Sequence, residues 1–93
     1  MVLEKLVFAV DQSVLDDWLE FENEVWKPWL QQQQGFIRKK IDVRPGICVN
    51  NIWWKDKECL SKASAKKQEI GRKDLEMRRR FGSKVIQIGR AHV

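Results

Sequence analysis

The stretch Val25-Trp26-Lys27-Pro28-Trp29-Leu30-Gln31-Gln32-Gln33-Gln34-Gly35-Phe36 joins the end of an amphipathic helix to the start of an apolar strand. Gly35 is a natural helix stop, and Phe36 opens the strand that runs to Arg44. Read backwards, the apolar period predicts a helix from about Val14 to Gln33. Trp18, Trp26 and Trp29 share with Leu15, Leu19 and Leu30 an apolar arc of about 180°, wider than one contact with a sheet requires. Glu22 falls near the middle of that arc, whereas Asp16, Glu20 and Glu24 face away. Ser13 is the expected N-cap, with Asp16 three residues on. Pro28 lacks the N–H that would bond Glu24, so a kink is expected there.

The other elements follow outward from this helix. Val2 to Val10 reads as a strand with apolar side chains on both faces, as in a strand covered on both sides. Pro45-Gly46 marks a turn of type I or II. Ile47 to Trp54 is then a strand antiparallel to Phe36–Arg44. One of its faces carries Ile47, Val49, Asn51 and Trp53, the other Cys48, Asn50, Ile52 and Trp54. A basic helical region follows, with Asp56 or Ser64 as cap and a break near 61–64. Cys59, Ala63, Ile70, Met77 and Phe81 form its apolar stripe. Residues 84–90 are a fourth strand. The order βαββαβ predicts an α+β, ferredoxin-like fold: a four-stranded antiparallel sheet with helices on one face. The other face, apolar on strands one and three, should pair with a second copy.

Ninety-three residues suit a single domain, 1–93, with one modest core. No apolar run approaches the ~18 residues of a membrane span, and no signal peptide is evident, so a cytoplasmic protein is expected. Cys48, Cys59 and His92 are too few and too scattered for a metal centre; the cysteines read as small buried apolar residues. The net charge of +5 is uneven. Residues 1–54 hold six Lys/Arg against eight Asp/Glu, and residues 55–93 hold twelve against five.

This chain resembles the dimeric α/β-barrel superfamily, which includes the antibiotic-biosynthesis-type monooxygenases. More closely it resembles a family of short uncharacterised proteins of oxygenic photosynthetic organisms. The residues that carry the resemblance are Val2-Leu3-Glu4-Lys5-Leu6, Glu24-Val25-Trp26-Lys27-Pro28-Trp29-Leu30, Gly35-Phe36 with Lys39, and Trp53-Trp54. It implies a homodimer with two sheets face to face and a pocket between each sheet and its helices. It also implies oxidation of an aromatic substrate without metal or flavin. Haem-degrading relatives use an Asn, a Trp and a His on the second helix. Asn50 or Asn51 and Trp53 or Trp54 match the first two only loosely, and the His has no counterpart, because His92 lies at the far end of the chain.

The candidate site therefore combines Glu22 as general base, Asn50 and Asn51 as polar anchors, and Trp18, Trp26, Trp29, Trp53 and Trp54 as walls for a small apolar or aromatic molecule. No cofactor is called for. Core packing of the tryptophans, and an ion pair of Glu22 with Lys39 or a cation of the second helix, are the structural alternatives. A non-enzymatic alternative assigns the cluster Lys66, Lys67, Arg72, Lys73, Arg78, Arg79 and Arg80 to an acidic partner or a nucleic acid. Nucleic acid is disfavoured, since strand three has no basic-glycine-aromatic motif.

Overall fold

The computed structural model describes residues 1–92. Strands β1 (Val2–Ala9), β2 (Phe36–Arg44), β3 (Ile47–Trp54) and β4 (Lys84–His92) form one sheet in the order β2-β3-β1-β4. Every neighbouring pair is antiparallel. This is the ferredoxin-like α+β arrangement expected from the element order. β4 extends past the predicted Arg90, and His92 lies opposite Val2 in the ladder rather than beyond the strand.

Strand alternation sorts the side chains. Glu4, Leu6 and Phe8 of β1 face the helices with Asn50, Ile52 and Trp54 of β3. Leu3, Val7 and Ala9 share the outer face with Ile47, Val49 and Trp53. The pairings Leu6 with Asn50 and Leu3 with Trp53 set this register. β2 slips by one residue between Phe36 and Arg38. The expected face of Ile37, Ile41 and Val43 is thereby broken, because Ile37 sits in the irregularity and stays exposed. Lys39, opposite Ile52 and in unbroken register with Ile41 and Val43, lies on the helix side.

The first helical region is not one α-helix. A 3-10 turn (Gln12–Val14) leads into α1 (Leu15–Phe21), then a π-helical segment (Glu22–Trp26), then α2 (Lys27–Gln31). Its N-cap is Asp11, not Ser13: the Asp11 carboxylate accepts from the Ser13 backbone N–H at 2.9 Å and its hydroxyl at 2.6 Å. Those two bonds hold the Asp11 carboxyl below its ordinary value. The π segment lies just before Pro28, where the Lys27 N–H bonds the Glu22 carbonyl five residues back. A widened turn thus accommodates the proline that lacks a donor.

Asp56 caps α3 (Lys57–Lys66), accepting from the Cys59 N–H at 2.8 Å. The break in the second helical region falls at a 3-10 segment, Lys67–Ile70, rather than near 61–64, and α4 (Gly71–Phe81) follows. The hydrogen bond from the Cys59 backbone N–H holds the Asp56 carboxyl below its ordinary value. A carboxylate whose folded pKa is depressed stabilises above its unfolded pKa and loses that contribution as pH falls through the folded value. Asp56→Ala should therefore lower the melting temperature at neutral pH, with a gap to wild type that closes in strong acid. A gap of equal size at both pH values would rule out the cap as its origin.

Two packed cores lie under the helices. One joins Trp29 and Leu30 of α2 to Ile52, Trp54, Leu60 and Ala63. The other joins Trp18 of α1 to Val10, Cys48, Met77 and Phe81. Cys48 and Cys59 are buried free thiols, and burial, then the charge of Glu22, pushes the Cys48 thiol up. No helix of the described residues is long and apolar enough to cross a membrane.

Candidate functional site

A cavity of about 360 Å³ opens between the sheet and the helices. Leu6, Phe8 and Ile52 form its sheet side, Trp26 and Leu30 its helix side, and Ile88 its rim on β4. β4 is an edge strand, and Ile88 is left 64% exposed there.

Three polar side chains meet inside this apolar lining. Glu22 enters from the first residue of the π segment, Lys39 from β2 and Asn50 from β3. Lys39 Nζ donates to Glu22 Oε2 at 2.8 Å, and Asn50 Nδ2 donates to Glu22 Oε1 at 3.0 Å. The Glu22 and Lys39 side chains are only 3% and 6% exposed. An ion pair this dry is held by its geometry and the added amide bond, since both charges have left water.

The orientation of Asn50 follows from its partner. A carboxylate only accepts, so the Asn50 amide must turn its NH₂ to Glu22. The Asn50 carbonyl oxygen is then left buried without a hydrogen-bond partner. A buried acceptor of this kind calls for an explanation, and here it belongs to a residue that lines a cavity.

The mouth is ringed by charges that are already matched. Lys67 lies 3.4 Å from the buried carboxylate of Glu4, and Arg78 lies 3.0 Å from Asp74. Sequence reasoning missed Glu4, whose position on the helix face of β1 was the available signal.

Of the expected site residues, Glu22, Asn50 and Trp26 line the cavity and the others do not. Trp18 is fully buried against Phe8, with ring centroids 5.4 Å apart, in the core beneath α4. Trp29 packs in the other core and donates its indole N–H to Glu69 at 3.2 Å. Trp54 is buried beside Phe36 and donates to Glu4 at 3.4 Å. Trp53 and Asn51 are on the outer sheet face. There Arg38 lies 4.2 Å over the Trp53 ring, and Asn51 donates to Asp42 at 3.0 Å. Lys39, expected only as a structural partner of Glu22, proves to be part of the lining.

The fold has solved counterparts. MupZ from Pseudomonas fluorescens matches at a TM-score of 0.75 and 9% identity, over 96% of this chain and 69% of that one. SnoaB, a cofactor-independent oxygenase from Streptomyces nogalater, matches at 0.72 and 16%, over 99% and 91%. The monooxygenase from the gene ActVA-Orf6 of Streptomyces coelicolor, solved in complex with the ligand Nanaomycin D, matches at 0.72 and 11%, over 97% and 82%. No protein-family model matches the chain, and neither does any curated protein. At these identities the likeness is one of fold, and fold alone does not carry a function across.

Proposed function

We propose, from the premise that this chain has the fold of the antibiotic biosynthesis monooxygenases, that its cavity binds a small, largely apolar or aromatic molecule and that Glu22 removes a proton from it. The anion so formed is the electron donor in a cofactor-free oxidation by O₂. One observation carries the reading: an apolar cavity of about 360 Å³ whose interior holds a buried ion pair and an unpartnered acceptor, Asn50 Oδ1. That volume lies within the range of small-molecule sites, and a few converging polar groups in an apolar wall are their usual make-up. Asn50 Oδ1 is the anchor for a donor on the ligand.

Trp26 is the reporter, as the one tryptophan lining the cavity. Titration with a small aromatic such as 2-naphthol should give saturable quenching of tryptophan fluorescence. Trp26→Phe should remove most of that change while leaving the emission of the buried indoles. Quenching of equal size in the variant would place the ligand elsewhere.

The same reading includes a homodimer formed through the outer sheet face. Leu3 and Val7 of β1 lie there beside Ile47, Val49 and Trp53 of β3, and all five remain only half-buried in the single chain. Lys5 and Asn51 face the same way between them, and the apolar surface on either side of that pair favours association with a matching surface. Native mass spectrometry should give a dimer for the wild type and a monomer for Val49→Glu. A wild-type monomer would sink the face-to-face arrangement.

A further inference from the structure

We infer that Lys39 is the counter-cation of the anion that the bound molecule becomes when its proton passes to Glu22. This rests on the small-molecule reading of the cavity and adds a residue to it. Lys39 brings an ammonium group into an apolar cavity, with its side chain 6% exposed and its recorded hydrogen bond going to Glu22. An ammonium has three donors, so Lys39 can serve a ligand oxygen and Glu22 together.

Charge balance makes the case. At rest the Lys39 cation faces the Glu22 carboxylate. In the transfer the ligand O–H bond breaks, an O–H bond forms on Glu22, and the electron pair stays on the ligand oxygen. Glu22 becomes neutral, and the negative charge now lies on the ligand. With Lys39 present the buried cation is matched before and after the step. Without it, a lone anion would remain in an apolar cavity, where burying an unpaired charge is very costly. The other charges at the site do not take this role: Lys67 is matched by Glu4, and Arg78 by Asp74. Asn50 gives an N–H to the carboxylate and, being neutral, cannot match the charge on the ligand.

The test uses 4-nitrophenol, whose neutral and ionised forms have different absorption bands. It is titrated with pH while bound to full-length protein. In Glu22→Gln the Lys39 cation loses its carboxylate, and the bound probe should ionise about one pH unit or more below the free probe, as expected for an opposite charge within hydrogen-bonding reach. Adding Lys39→Met should abolish that drop, so the two variants differ at least tenfold in the ionisation constant of the bound probe. A purely structural lysine would leave the bound probe's ionisation the same in both, and that result overturns the inference while the cavity reading stands. If circular dichroism shows Glu22→Gln unfolded, wild type against Lys39→Gln makes the same comparison, with the probe ionising at higher pH in the variant. Failure of the probe to bind saturably to any folded form removes the small-molecule reading and this inference together.

Discussion

Lys39→Met should lower the unfolding free energy by about 3–5 kcal/mol, because it leaves the Glu22 carboxylate buried without its cation. The Glu22 and Lys39 side chains are only 3% and 6% exposed, so water cannot take the place of the lost partner as it would at the surface. The Asn50 amide still donates to Glu22 at 3.0 Å, but a neutral donor does not cancel the charge. Glu22→Gln with Lys39→Met removes both charges and should recover most of the loss, since replacing a whole buried pair by neutral groups of similar volume is often close to neutral. Urea denaturation of the two single variants and the double variant gives the coupling energy directly. A coupling below about 1 kcal/mol is the value for solvated pairs, and would mean that the cavity is wetter than its lining implies.

Gly35→Ala should cost about 3 kcal/mol, for two reasons that add. The backbone there has φ +79°, in the left-handed region, where a side chain costs roughly 1–2 kcal/mol. An added Cβ would also sit 2.6 Å from the Cβ of Cys59 and against its Sγ, with the Cβ of Lys55 at 3.4 Å. Overpacking of this kind costs typically 1–3 kcal/mol. The loop has little room to shift, because the Lys55 N–H holds the Gly35 carbonyl at 2.7 Å. For a domain of this size each kcal/mol moves the melting temperature by roughly 4–8 °C, so a thermal melt resolves the effect easily. Gly35→Ala combined with Cys59→Ala should regain only part of it, since the close Cβ contact and the φ penalty remain. A drop of only a degree or two in the single variant would show that the loop relaxes.

What the chain's pattern revealed and what it hid divide along a physical line. The βαββαβ order, the separation of Asn50 from Asn51 and the inward position of Glu22 all follow from periodicity, which reports the face a residue occupies. Periodicity does not report what that face meets. Trp18, Trp29 and Trp54 are inward-facing as expected, yet they fill the cores, and only Trp26 reaches the cavity. Lys39 lies in unbroken alternation with Ile41 and Val43 on the helix side of β2, but alternation gives only its face, and not the carboxylate or the cavity it meets there. Asp11 displaces Ser13 as cap because the helix begins one 3-10 turn early. The π segment escaped notice because its only mark was Pro28, which reads equally as an ordinary kink.

That segment also settles how the first helical region can vary. α1 serves the core around Met77 and Phe81, whereas α2 serves the core around Leu60 and Ala63. The widened turn between them accommodates one residue more than an α-helix would. Deleting Asn23 would offer the chain a continuous α-helix and leave everything beyond in the same phase about the axis, because the widened turn already takes up the extra residue. Trp29 and Leu30 would then keep their core, and the cost would fall on Pro28, whose ring crowds the carbonyl four residues back in a regular α-helix. Asn23 and Glu24 are exposed and open to replacement by other residues, and this turn is where the first helical region can lose one residue with both of its cores still in phase.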